Sequence, residues 1–488
     1  MVTASDFLML YDVSTSHNTR LVFLESGDLA HSSERSNSAI FADAYLVFNE
    51  ASSPIGMLVS ADGTHTFAVK VMRSGLGERY TLSNPKSSLL MSAIPGTGLG
   101  HIEVNRVAAD AWEQFNLRKL DDAPAAIVDA VDGLGRVLAE GVPNPASLID
   151  IISKDVWSSI MIRAYADLLD AEQCAAFARI AFDTPFIADR LTRLYSNDLW
   201  ITQAIPKLLQ WLKSDRKTDS TPRIVGHKYD FLSNDGLPAF GKVLNACLRA
   251  TVEPRRRACI LATARNEGVF FLDWIAHHRA LGFEEFFIYT NNNDDGSDYL
   301  LQELATAGVI KLLHNDSAAG TRPQLKAYGH ALQFVPEILD FEWVAVIDLD
   351  EYVQIGANRP DDLTAYLDWQ GSLGADSIGL NWAVHVPNEQ RTWVDAPVMD
   401  RFPRSSINPH IKSIFRPRYF VDSHPHYPIA LLGAPRKFKT ANGDDTIQDA
   451  FNHAPKYERA WISHYYFKSA EESLERRTKN RGRKIDLI

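Results

Sequence analysis

The stretch Glu342–Val353, EWVAVIDLDEYV, constrains this chain more than any other. Trp343 to Ile347 is continuously apolar, and an apolar run that short reads as a strand buried on both faces. It ends in three carboxylates within four positions, Asp348, Asp350 and Glu351. Side chains two apart on a strand point the same way, so Asp348 and Asp350 are expected to share a face at the mouth of a sheet. Like charges held there repel each other unless a cation lies between them or one is protonated. Hard oxygen ligands in that position suit a divalent ion, Mn²⁺ or Mg²⁺, carrying a substrate's phosphates. A lone D-x-D is more commonly a solvated turn, so the weight of this one rests on its surroundings.

From Arg257 the chain alternates strand and helix, the mark of a mostly parallel sheet. Ala258–Ala264 reads as the first buried strand and breaks at Arg265-Asn266-Glu267-Gly268. A helix follows with Phe271, Trp274, Ile275, His278 and Leu281 on one face, and Gly282 ends it as a C′ residue. Strand Glu285–Tyr289 runs into the polar loop TNNNDDGSD at 290–298. A helix over about Tyr299–Ala307, a strand over Val309–Leu313 and a mostly helical stretch from Pro323 to about Leu339 lead to the carboxylate strand. Ligands of such sheets bind off the carboxyl ends of the strands. Arg265–Glu267, Asn291–Asp295 and Asp348–Glu351 all fall there.

The preceding half has a different texture, and a length of 488 residues predicts a multidomain chain. Residues 1–120 read as all-β: Leu21–Leu24, Tyr45–Phe48, Gly56–Val59 and Phe67–Val71 are short β-favouring runs separated by turn signals. From 121 to 214 the period changes to near 3.6, with apolar stripes at Ile127, Val131, Leu134, Leu138 and at Trp157, Ile160, Met161, Ala164, Leu168. Further helices are expected over about 171–182, 185–195 and 198–213. Residues 215–256 are assigned to a linker, whose polar core is SDRKTDSTPR at 214–223, and a helix; 257–488 is the catalytic candidate. Gly236-Leu-Pro-Ala-Phe-Gly241-Lys242 imitates a phosphate-binding loop, but Val243 stands where a hydroxyl is needed for Mg²⁺. The nucleotide-triphosphatase reading is rejected.

A net charge of −11 argues against nucleic acid as the main partner. Three cysteines without metal-ligand spacing are expected to be reduced thiols in a cytoplasmic protein. No run of about 18 apolar residues is present, so a transmembrane segment is not expected, although peripheral membrane association stays open.

At its motifs the chain resembles a known group. ARNE at 264–267, DWIAHHRALG at 273–282, IYTNNNDDG at 288–296 and DLDEY at 348–352 are similar, in order and spacing, to the GT-A-fold glycosyltransferases, nearest the family-2-like group and family 92. HYYFKS at 464–469 followed by LERR at 474–477 resembles that group's C-terminal signature. The second loop departs from the D-N-x-S-T-D-G of many relatives: Thr290 replaces the first Asp, Asn293 and Asp294 replace Ser and Thr, and Asp295 and Gly296 remain. The phrase Ala111–Leu117 is similar to the last strand of a fascin-like β-trefoil, a fold often used to bind sugars.

The resemblance implies a Rossmann-like GT-A domain that moves a sugar from a nucleotide diphosphate sugar to an acceptor hydroxyl of a glycan, polysaccharide or glycoconjugate. It implies Asp350 as a direct ligand of Mn²⁺ (or Mg²⁺), Asp348 as a second ligand or a ribose contact, and His464 as a third ligand. Arg265, Asn266, Glu267, Asn291 and Asp295 would hold the nucleoside, and Lys326 would reach the diphosphate. The aromatic, histidine-rich stretch from Ile378 to His426 is the acceptor-side candidate, with Trp382, His385, Trp393, His410, His424 and His426 supplying stacking faces and polar groups. Among Glu389, Asp395 and Asp422 as general base for the acceptor hydroxyl, Glu389 is preferred because it follows the expected strand Gly379–Val386. Lys412, Arg416 and Arg418 form a basic cluster for phosphate or an anionic acceptor. Two rivals are a sugar nucleotidyltransferase, whose glycine-rich basic phosphate loop is missing at Ala264–Gly268, and a non-catalytic carbohydrate-binding protein.

Overall fold

The computed structural model describes residues 9–24, 29–34, 41–48, 55–61, 65–74, 79–85, 88–96, 98–121, 127, 144–153, 159–217, 221–233, 239–356, 363–387, 389–431 and 436–479. Contacts divide the chain into two compact units, one of residues 1–213, 234–252 and 430–435, the other of 214–233, 253–429 and 436–488.

In the first unit ten strands, from Met9–Thr15 to Phe115–Leu120, form one antiparallel sheet. Its first and last strands pair, Leu10 opposite Leu120 and Thr15 opposite Phe115, and the first strand also pairs with Phe41–Phe48. The sheet is thereby barrel-like, and closure removes the edges that would invite other chains. Alternate residues such as Val13, Leu21, Phe23, Leu46, Val69 and Phe115 fill its core. The all-β reading holds, whereas these pairings do not display a β-trefoil. Trp112 lies in the single turn Ala111–Glu113 and is 42% exposed, the last strand starting only at Phe115.

Helices Pro145–Ser153, Ser159–Leu168, Ala171–Asp183, Pro185–Leu194 and Ile205–Lys213 follow in the same unit. Asp170 and Gln173 form a capping box on the third of these. Of the stripe at Ile127, Val131, Leu134 and Leu138, only Ile127 is among the described residues, buried beside Leu10, Val47 and Met57. Of the next stripe, Trp157 and the side chains of Ile160, Met161 and Ala164 lie outside them. Helix Phe240–Ala250 also belongs here. The Gly241 N–H donates to Asp198 at 2.7 Å, and a Cβ on Gly241 would stand 2.4 Å from that carboxylate. This glycine serves close packing, which accounts for the false phosphate-loop pattern.

The second unit is built on an eleven-stranded sheet. In chain order its strands are β1 (Arg223–Val225), β2 (Arg256–Ala264), β3 (Glu285–Thr290), β4 (Lys311–Asn315), β5 (Phe341–Val346), β6 (Glu351–Ile355), β7 (Ser377–His385), β8 (Ser405–Phe415), β9 (Phe438–Thr440), β10 (Asp445–Thr446) and β11 (Ala460–His464). The spatial order is β1-β4-β3-β2-β5-β8-β7-β9-β10, with β11 beside β7 and β6 beside β11. β1, β4, β3, β2 and β5 run parallel, and β8 returns antiparallel between β5 and β7. Helices α1 (Phe271–Leu281), α2 (Ser297–Thr306), α3 (Pro323–Phe334), α4 (Leu363–Ser372) and α5 (Ala470–Lys479) connect or follow these strands. Every residue of β3 is buried, as a parallel strand covered on both faces requires. Gly282 ends α1 at φ 115°, in the left-handed region that glycine enters without cost. Among the described residues no helix is long and apolar enough to cross a membrane.

One expectation fails in an instructive way. β5 stops at Val346, so Asp348 and Asp350 lie in a turn rather than on a strand, and the shared-face argument does not apply to them. The turn is closed by Glu351, which opens β6: its N–H donates to the Asp348 carbonyl at 3.1 Å, and its side chain accepts from the Asp348 N–H at 3.0 Å.

Candidate active site

The loops after β2 and β3, the turn after β5 and the end of β11 meet at one cavity of about 1200 Å³. Arg265, Asn266, Glu267, Asn291, Asp295, Asp348, Asp350 and His464 all line it. Asn266 is left-handed at φ 57°, a conformation asparagine tolerates. Its N–H donates to Asn293 Oδ1 at 2.9 Å and its Oδ1 accepts from the Asp294 N–H at 2.8 Å, which ties the first loop to the second. Asp295 accepts from the Gly268 N–H at 3.1 Å and the Ser297 N–H at 3.0 Å. Partial burial pushes its carboxyl up, but the bonds from Ser297 and Gly268 outweigh that and hold it below the usual range.

At the β5–β6 turn the charge pattern differs from the one expected. Lys412, buried on β8, reaches between two carboxylates, 2.8 Å from Asp348 Oδ2 and 3.2 Å from Glu351 Oε2. The register explains this: Val346 pairs with Ser413, so Lys412 falls at the carboxyl end of β5. Burial opposes the lysine's charge, yet Asp348 and Glu351 more than compensate and hold it protonated. Burial pushes Glu351 up to about 7, against the pull of Lys412. Gln324 Nε2, in the first turn of α3, donates to the other oxygen of Asp348 at 3.1 Å. Both oxygens of Asp348 are therefore engaged by the protein.

His464 comes to the same turn because β6 and β11 are antiparallel with Glu351 opposite His464. Its Nε2 stands 3.6 Å from Asp350 Oδ1, and the next residue, Tyr465, donates its N–H to the Asp350 carbonyl at 2.8 Å. Burial would lower the imidazole's pKa, but the Asp350 carboxylate outweighs it and the value lies above the ordinary one. The donor set fits a divalent cation at Asp350 and His464: a hard carboxylate and a borderline imidazole close enough to share one ion, which Mn²⁺ accepts readily. Nδ1 of His464 and Oε1 of Glu351 are buried without a hydrogen-bond partner. Among the described residues no group of three or more ligating side chains occurs, so water and phosphate oxygens would complete the shell.

The opposite wall is aromatic. The Trp382 ring lies 4.3 Å from that of His464, stacks on His410 at 4.8 Å and tilts against His426 at 5.3 Å between centroids. Trp393 lines the cavity and is 43% exposed. His424 lies behind His426, at 5.4 Å. His385 is directed elsewhere, with Nδ1 on the Phe402 carbonyl at 2.6 Å and its ring against Tyr465.

Three expected contributions are not brought to the cavity. Lys326 is fully buried under the turn 227–233, its ammonium 2.7 Å from Asp230 and bonded to the Val225 and Asp316 carbonyls, so it faces away from any diphosphate at Asp350. Glu389 is exposed at φ 57° and is not a lining residue; nor are Asp395 and Asp422. The basic cluster is split: Arg416 pairs with Glu342 at 2.5 Å and Arg418 with Glu253 at 3.1 Å, and of the three Lys412 lines the cavity. Gln324, and the carboxylates Glu471 and Glu472 of α5, line the cavity without having been singled out. Position in the first turn of a helix after a parallel strand is the only sequence signal Gln324 carries.

With this geometry in place, known proteins can be compared. A glycosyltransferase family 92 protein of Oryza sativa subsp. japonica is 26% identical over 152 residues, 30% of this chain and 25% of that protein. One of Ricinus communis is 30% identical over 111 residues, 22% of this chain and 19% of its own length, and one of Arabidopsis thaliana is 29% identical over 156 residues, 28% and 25% respectively. The chain thus covers a quarter or less of each of these relatives. The model of glycosyltransferase family 92 matches residues 258–484, which include every residue around Asp350 described above. The later half of this chain therefore carries a glycosyltransferase family 92 domain.

Proposed function

We propose that this domain transfers a sugar from a nucleotide diphosphate sugar to an acceptor hydroxyl of a glycan or glycoconjugate, on a GT-A-like sheet and with a divalent cation, Mn²⁺ or Mg²⁺. The observation that carries this reading is the meeting of Asp350 and His464 at the carboxyl ends of parallel strands, inside one cavity, within the segment that matches the family. A bound divalent cation there supplies charge neutralisation for the departing diphosphate. The chain's own residues divide the remaining work. Arg265, Glu267 and Asn291 face the cavity where the nucleoside would lie, while Asn266 and Asp295 fix the two loops that shape it. Lys412 holds Asp348 in place and keeps a positive charge beside the leaving phosphates. Trp382 and Trp393 offer ring faces to sugar. We read the all-β sheet as a binding module for acceptor glycan or partner protein, and the three buried cysteines, none of them in a disulfide, as fitting a reducing, cytoplasmic setting.

The test is a thermal-shift screen of UDP- and GDP-hexoses on the full chain, with Mn²⁺ and with EDTA. The reading predicts that at least one nucleotide sugar raises Tm with Mn²⁺ and that EDTA removes the rise. No shift with any donor, or an equal shift in EDTA, would contradict it.

A further inference from the structure

With Glu389 outside the cavity, the reaction proposed above lacks a group to take the proton of the attacking hydroxyl. The other carboxylates of the cavity have tasks: Asp348 and Glu351 hold Lys412, Asp295 caps the Gly268 and Ser297 N–H groups, Glu471 accepts from the Trp393 N–H, Glu472 pairs with Arg401 and Ser469, and Glu267 is placed at the nucleoside. His426 is differently placed. It lines the cavity, and its Nδ1 is 2.8 Å from the Ile411 carbonyl of β8. A carbonyl oxygen only accepts, so Nδ1 carries the ring proton and Nε2 keeps its lone pair. Among the described residues Nε2 has no hydrogen-bond partner. The backbone is fixed by Ser413, whose hydroxyl donates to the His426 carbonyl at 2.7 Å.

We propose that His426 is the general base, its Nε2 receiving the proton of the attacking hydroxyl in a single displacement. This rests on the glycosyltransferase reading. The hydroxyl oxygen forms its bond to the anomeric carbon as the bond from that carbon to the diphosphate oxygen breaks. The diphosphate leaves with the electron pair, the hydroxyl proton passes to Nε2, and the imidazolium then gives it up to solvent. The position suits the task, because the Trp382 ring packs against both His426, at 5.3 Å, and His464, at 4.3 Å between centroids. The groups facing the ring are Lys412 and His410 from β8, Trp382 from β7 and His424 from its own segment. Burial, reinforced by the charge of Lys412 and opposed by the Ile411 carbonyl, lowers the imidazole to about 4. It is therefore neutral at physiological pH, with the basicity of an ordinary carboxylate.

Asparagine separates the base from its scaffold, since its amide nitrogen can keep the bond to the Ile411 carbonyl without supplying the lone pair. The experiment follows nucleoside diphosphate released to water from the UDP- and GDP-hexose panel with Mn²⁺, using the full-length wild type, His426→Asn and His426→Ala. The expected result is a fall in kcat of about a hundred- to ten-thousand-fold in both variants. Their donor-induced thermal shift should be unchanged, and imidazole should restore part of the rate to His426→Ala. A wild type that turns over beside a His426→Asn variant within tenfold of it overturns the inference and leaves the function standing. Loss of the donor-induced shift together with turnover in His426→Asn makes His426 a binding group and overturns it equally. A wild type that neither binds nor turns over any donor removes both.

Discussion

Two buried glutamates, one in each unit, show how a fold spends a charge. Glu113 in the barrel-like sheet is almost fully buried, and both its oxygens are used: Ser92 Oγ donates to one at 2.6 Å and the Asp110 N–H to the other at 2.8 Å. It closes a capping box. Glu351 is as deeply buried, but only Oε2 is engaged, by Lys412 and the Asp348 N–H, and Oε1 has no partner. Its neighbours Asp350, Lys412 and His464 line an open cavity. Burial of a carboxylate is thus common to a turn and to a site. What differs is the polar capacity left unused, which a folded protein normally does not leave without reason.

The largest effect that sharpens this contrast comes from removing the charge that the site relies on. Lys412→Met leaves Asp348 and Glu351 without their cation and should cost about 3–5 kcal/mol of unfolding free energy at pH 8. Glu113→Gln, which only weakens hydrogen bonds in a turn, should cost about 1–2 kcal/mol and leave metal binding alone. Urea titration of both variants checks this, and equal costs would break the comparison. A smaller effect concerns pH. Glu351 has a folded pKa of about 7, above the ordinary carboxylate value of 4.5, so the folded state holds its proton more tightly than the unfolded one. Its contribution is fully present below the unfolded value and is lost as pH rises through about 7. Wild-type stability should fall across that window, and Glu351→Gln should flatten the slope. A steeper slope in the variant would mean that another group titrates there.

The parallel half of the sheet was legible because buried strands, polar loops and a C′ glycine recur in order, and β2, β3 and α1 lie within a residue or two of their expected bounds. That Asp350 and His464 come together was expected from family resemblance alone; nothing local in either segment says that β6 and β11 pair. The rest depended on long-range register. Lys412 meets Asp348 because β8 sits between β5 and β7, and a basic residue on a strand gives no hint of which carboxylate it will cross. Lys326 is expected to reach the diphosphate, yet the segment 227–233 covers that face of α3 and turns the ammonium inward to Asp230. Glu389 was chosen for following β7, but the chain turns away there into exposed loop. The barrel-like order of the N-terminal sheet rests on which strands pair, which short apolar runs do not encode.

The central claim is that Asp350 and His464, not Asp348, hold the divalent cation. Titrating Mn²⁺ into the full chain and following the free ion by electron paramagnetic resonance tests it without any need for substrate. In the wild type, binding should be measurable. Asp350→Asn should abolish it, His464→Ala should weaken it by about tenfold or more, roughly the loss of one ligand, and Asp348→Asn should leave it within a few-fold because Lys412 and Gln324 already occupy that carboxylate. Binding that survives Asp350→Asn and His464→Ala but is lost with Asp348→Asn would contradict the account.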